Sequence, residues 1–176
     1  MPTTVTLSIS LSNPDDLTDA DKAAIVSELS DLSAIIDDVV VPFAQEQERE
    51  AFASEGGSID EVWAPWADST RRRKAANLYG DVLVGTPSRL LVDSGRLEAN
   101  IGTAVDVTDT SATVGVDSGA VPYARAQNEG NPGTNLPPRV FMRFTADDID
   151  TLIQRVEDAI ALRAGVPIGS IVVSVA

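Results

Sequence analysis

The sequence predicts an α+β domain: an antiparallel sheet packed against a long N-terminal helix and a C-terminal helix, with long assembly loops between them. Three observations carry this. Residues 3–12 (TTVTLSISLS) alternate Val5, Leu7, Ile9 and Leu11 with hydroxyl side chains, the two-residue period of a half-buried strand. Two long segments step their apolar residues by three and four, the spacing of a helix with one buried stripe. Two short valine-rich runs within 103–119 read as a hairpin. The 176 residues suit one domain spanning 1–176, and a hydrophobic fraction of 43% is ordinary for a folded chain.

The elements follow in order. After the first strand, Asn13-Pro14-Asp15-Asp16 breaks the chain, and Thr18 with Asp21 makes a capping-box start. Ile25, Leu29, Leu32, Ile36, Val39 and Phe43 then trace the stripe of the N-terminal helix. Pro42 is expected to kink or divide it. The polar run at 44–55 (AQEQEREAFASE) should carry the helix on to a stop at Gly56-Gly57. Ser58 and Glu61 suggest a second capping box, opening a short helix that holds Trp63. Asp68, Ser69 and Thr70 offer a cap before 71–80 (RRRKAANLYG), and 80–89 is a loop marked by Gly80, Gly85 and Pro87.

At Asp93-Ser94-Gly95 an apolar run meets a short amphipathic segment bearing Leu97 and Ile101. A tight turn into a helix is expected there, with Gly95 taking a backbone conformation that bulkier residues resist. In the hairpin, Val105 and Val107 face one side, Asp109-Thr110 lies near the turn, and Val114 and Val116 return. Residues 120–139 form a long linker rich in Gly, Pro and Asn, with one helical turn at Tyr123–Asn128. A strand is expected at 139–144 (RVFMRF). Thr145 with Asp148 makes a third capping box, and Ile149, Leu152, Ile153, Val156 and Ile160 trace a helical face that ends near Gly165. A short strand at 170–175 (SIVVSV) closes the chain.

Composition narrows the chemistry. With no His and no Cys, Ser94 lacks the imidazole of a hydrolytic triad, and disulfides and thiolate metal sites are excluded. Only Lys22 and Lys74 could serve as lysine bases. No metal and no cofactor is expected: the acidic clusters at 15–16, 37–38 and 147–148 lack the spacing of a calcium loop, and carboxylates at helix starts favour the dipole. Thirteen Lys and Arg against 27 Asp and Glu give a net charge of −14, which repels phosphate backbones and speaks against sequence-specific DNA binding. The N-terminus lacks the basic start and apolar stretch of a signal peptide, and no apolar run reaches membrane-span length, so a soluble chain with no membrane partner is expected.

Three features admit more than one reading. The cations Arg71, Arg72, Arg73 and Lys74 form a solvated helix face, a contact for an acidic neighbouring subunit, or a contact for DNA phosphates. Trp63 and Trp66 either anchor an interface or close a small core. The charge also fits an acidic protein-binding module of the DNA-mimic type, and an enzyme working through carboxylates is a more distant alternative.

Taken in order, 52–63 (FASEGG…W), 69–74 (ST…K), 90–101 (LLVDSGRLEANI), 114–116 (VGV), 123–130 (YARAQNEG) and 136–142 (LPPRVFM), followed by a closing helix, resemble the phage virion morphogenesis family. These are tail-completion or neck proteins of Mu-type tailed phages, and the resemblance runs from about Phe52 to Arg163. Gly56, Trp63, Leu91, Gly95, Leu97, Ile101, Tyr123, Ala124, Gly130, Arg139 and Phe141 stand on the family's recurring positions, while Gln127-Asn128 replaces its common His-Gln pair.

The resemblance implies a non-enzymatic virion protein of the neck or tail junction, assembled in the host cytoplasm. It would complete or terminate the tail and join it to the head. Its partners would be copies of itself in a ring, a hexamer by analogy with tail terminators, together with other neck, connector and tail-tube proteins. Genomic DNA would pass through the lumen without specific binding, since like charge keeps it from adhering. Trp63, Trp66, Arg71, Arg72, Arg73, Tyr123, Gln127, Asn128, Arg139 and Phe141 are the expected assembly residues, and the terminal strands are candidates for subunit contacts.

Overall fold

The computed structural model describes residues 3–11, 16–75, 89–92, 94–108, 111–167 and 171–175. Strand β1 (Thr3–Leu11) precedes helix α1 (Asp19–Leu29) and a helical turn α2 (Ser33–Ile35), which continues through a π-helical stretch (Ile36–Val40) into α3 (Val41–Ala53). Then come α4 (Asp68–Ala75), α5 (Arg96–Ala99), β2 (Ala104–Val107), β3 (Ser111–Gly115), α6 (Ala124–Glu129), α7 (Ala146–Ala164) and β4 (Ile171–Val175). The fold is α+β. Its strands form one sheet in the order β2-β3-β1-β4, in which β1 runs antiparallel to β3 over residues 3–6 and to β4 over residues 7–11. The two terminal strands therefore pair with each other within the chain.

The N-terminal helix is not one long element. α1 stops at Leu29, where the Ser30 amide donates to the Val26 carbonyl at 3.1 Å, and Asp31 then accepts from the Ser33 amide at 2.9 Å to start the next helix. Pro42 neither ends nor divides that second helix. Proline has no N–H to continue the usual ladder, and the π-helical turn before it, in which the Val41 amide reaches back to the Ile36 carbonyl, absorbs the missing bond. The wider turn rotates the apolar stripe, so Ile35 and Val40 are buried beside Ile36 and Phe43 while Val39 is only half-buried.

The chain resolves into two compact units, one formed by residues up to Gln47, Val105–Val114 and the chain from Phe144, the other by Glu48–Ala104 and Gly115–Arg143. The first unit holds the sheet. Ile25, Ile36, Phe43, Leu152, Val156 and Ile160 are among its deepest side chains, on the apolar faces of α1, of the π-helical stretch with α3, and of α7. The capping boxes at Thr18 and Thr145 form as read: Asp148 N–H donates to Thr145 Oγ1 at 3.1 Å, and Asp148 Oδ2 accepts from the Thr145 amide at 2.8 Å. Arg155 lies 5.0 Å over the Phe43 ring and pairs with Glu46 at 3.2 Å. Glu157 accepts the Val173 amide at 3.0 Å, tying β4 to α7.

The second unit is built around Phe52, Trp63, Leu97, Ile101, Val121, Ala124 and Phe141. Phe52 meets Trp63 and Phe141 edge-on, with ring centroids 5.5 and 6.1 Å apart. Two expectations fail here. Ser58 and Glu61 do not cap a helix holding Trp63: residues 57–59 make a single 3₁₀ turn, the Ser58 amide donates to Ser54 Oγ, and Trp63 sits in an irregular segment with its amide on the Glu55 carbonyl. Residues 139–144 are not a strand, because their amides bond elsewhere. Arg139 N–H donates to the Gln127 carbonyl at 2.9 Å, and the Phe141 and Met142 amides share Asn128 Oδ1 at 3.0 and 3.3 Å. α4 begins at Asp68, inside its expected cap. Most of the 80–89 loop, the end of 71–80, Asp93 and the Asp109-Thr110 turn lie outside the described residues.

Candidate functional site

The second unit carries an open cleft of about 1000 Å³. Pro65, Trp66 and Ala67 form one wall where the irregular segment leads into α4, whose Ser69 and Thr70 continue it. Ser94, Gly95 and Arg96 contribute from the turn into α5, Tyr123 from the N-cap of α6 and Gln127 from within it, and Arg139 from the segment that follows the 131–136 loop. That loop is pinned by an antiparallel bridge between Asn131 and Leu136. Gly130 starts it at φ +77°, and a Cβ there would lie 2.8 Å from Pro138 N and 2.9 Å from the Leu136 carbonyl, so only glycine fits.

Arg139 is the unusual lining residue. It is 6% exposed, its Nε donates to the Ala64 carbonyl at 3.2 Å, and an Nη donates to the Pro65 carbonyl at 3.5 Å. Burial draws its guanidinium below the ordinary arginine range. Arg71, Arg89, Arg125, Arg143, Arg155 and Arg163 each pair with a carboxylate. Arg139 meets none among the described residues. The only charged groups on the cleft's described lining are Arg96 and Arg139, both cations, in a chain of net charge −14.

Of the expected assembly residues, Trp66, Tyr123, Gln127 and Arg139 meet around the cleft, joined by Ser94 and Gly95. Trp63, Asn128 and Phe141 are instead core residues of the same unit. Trp63 Nε1 donates to the Val140 carbonyl at 2.6 Å, which with the Asn128 bonds fixes the segment bearing Arg139. Arg71 and Arg72 are exposed on α4 and lie off the cleft lining, with Arg71 paired to Asp68; Arg73 follows on the same helix. Gly95, at φ +75°, turns the chain into α5, while the exposed Ser94 Oγ accepts from the Arg96 amide at only 3.4 Å.

Two residues escaped the sequence reading. Arg96 had as its signal only the scarcity of cations in this chain. Glu48 lies on α3 and is 1% exposed; neither carboxylate oxygen makes a hydrogen bond of ordinary geometry among the described residues. Burial pushes its carboxyl up to about 7, outweighing the opposite pull of Arg49 and of the Gly102 amide. Its signal was present: Ala44, Ala51 and Phe52 stand four before, three after and four after it, on the same buried face.

Among the described residues no helix is long and apolar enough to cross a membrane, and no group of three or more His, Cys, Asp or Glu is placed to hold a metal ion. Comparison of the chain with protein-family models, with curated proteins and with solved structures finds no match.

Proposed function

We propose that this chain is a structural virion protein of a phage neck or tail junction, forming a ring that completes or terminates the tail and joins it to the head. The observation that carries the proposal is the gathering of Trp66, Tyr123, Gln127 and Arg139 around one cleft whose described lining has no carboxylate. Three of these, Tyr123, Gln127 and Arg139, fall within the motifs whose order resembles the virion morphogenesis family. A cleft with aromatic, amide and guanidinium walls suits recognition of protein, for which Trp, Tyr and Arg are the favoured anchors. Its described lining has no carboxylate or imidazole to act as a general base.

The remaining surface fits the same role. A net charge of −14 keeps packaged DNA from sticking to a conduit it must slide through. The deciding experiment is electron microscopy of lysates from a phage lacking this gene. Filled heads beside separate tails of normal length are expected for a completion or joining protein, and tails of runaway length for a terminator. Normal infectious particles would refute the virion role and favour an acidic protein-binding module.

A further inference from the structure

We propose that the cleft is a carboxylate-receiving site in which Arg139 takes an acidic side chain from a second copy of this chain; the proposal rests on the ring reading and names how its subunits engage. A guanidinium presents five N–H donors in a planar fork. In Arg139 two of its nitrogens donate to the Ala64 and Pro65 carbonyls. Carbonyls orient the group but do not neutralise it. The result is a nearly buried cation, 6% exposed, facing a cleft whose described lining adds a second cation, Arg96, and no anion. A buried charge without a counter-charge is costly, and a carboxylate entering the cleft would supply charge-assisted bonds.

The second copy is the occupant that the charges favour. Its surface is rich in acids, with 27 Asp and Glu against 13 Lys and Arg, so an exposed carboxylate is its commonest charged group. Trp66 and Tyr123 give the entering segment apolar walls, and Tyr123 is 42% exposed where a partner could cover it. DNA phosphate is the weaker occupant, because the whole chain repels a polyanion. Two copies of −14 also repel each other at long range, but salt screens that repulsion more than it screens a desolvated pair inside a cleft. Self-association through this site therefore strengthens as ionic strength rises from low to physiological, the opposite of phosphate binding.

The test is sedimentation velocity on the full chain across protein concentration, at low and at physiological salt. Arg139→Gln removes the cation. Ser69→Glu places a carboxylate on the cleft wall; Ser69 is exposed in the first turn of α4, where an acid suits the helix dipole and leaves the Arg139 bonds in place. Wild type is expected to associate, both variants to weaken association at least tenfold with unchanged circular dichroism, and Ser69→Arg to retain it. Should Arg139→Gln fail to fold, Ser69→Glu decides. Folded variants that associate like wild type would overturn this inference and leave the ring reading intact. A wild-type monomer at every concentration would also overturn it, while the phage lysates judge the virion role independently. Binding of a short DNA duplex that is lost in Ser69→Glu would reassign the cleft to phosphate.

Discussion

Replacing Glu48 with Gln should make the protein less sensitive to alkaline pH. In the folded chain burial holds the Glu48 carboxyl at about 7, against 4.5 for an ordinary glutamate. The folded state therefore keeps its proton while the unfolded state releases it. Stability from this group is complete below the lower value, declines as pH rises, and is gone above the higher one. The full gap corresponds to about 3 kcal/mol, and the portion crossed between pH 5.5 and 8.5 to about 2 kcal/mol. Glutamine keeps the size and the neutral form but has no proton to lose. Thermal or urea unfolding of both proteins at the two pH values measures the effect. Every other charge is common to both, so subtracting one pH profile from the other isolates Glu48. The difference should grow toward alkaline pH by about 2 kcal/mol, or about 4–8 °C in Tm for a chain of this size. Parallel profiles would mean that the folded protein carries an ionised Glu48 at no cost, and the burial argument would be wrong.

Other perturbations have equally definite outcomes. Asn128→Ala removes the one oxygen that accepts the Phe141 and Met142 amides, and urea denaturation should register a loss of about 2–4 kcal/mol. Gly130→Ala forces a Cβ into the Pro138 backbone at positive φ, so soluble yield and Tm should both fall, whereas Gly133→Ala in the same loop, with only the Asn131 side chain nearby, should be far milder. Ser94→Ala, with its 3.4 Å cap bond at an exposed site, should cost less than about 1 kcal/mol; Gly95→Val should cost more than that from backbone strain alone, since no atom crowds the added Cβ. Lost function in a folded Ser94→Ala protein would reopen a catalytic role for that serine.

Periodicity and capping patterns located the elements whose causes are local. The Thr18 and Thr145 boxes, the α7 face and both terminal strands rest on residues a few positions apart, so the sequence displays them directly. The failures share a different cause. Ser58 and Glu61 have the spacing of a cap, yet the Ser58 amide is taken by Ser54. Residues 139–144 have the look of a strand, yet their donors go to α6. The π-helical turn before Pro42 reflects a ladder that must be rebuilt around a missing donor, which composition alone does not display. At the site, the resemblance gathered Tyr123, Gln127 and Arg139, but Arg139 became distinctive only once its neighbours proved to be carbonyls instead of carboxylates.

The pairing of β1 with β4 has a consequence for biosynthesis. A ribosome makes residues 7–11 well before their partners on β4, which are finished only when residue 171 and those after it emerge. By then residues 48–143, which contain every segment of the unit that bears the cleft, have already been released. That unit can close first, around its own aromatic core. The other must hold one flank of β1 unpaired until β4 emerges, and an unpaired strand edge is where nascent chains find one another. Slow translation through the last helix should therefore lower soluble yield more than slow translation through α6.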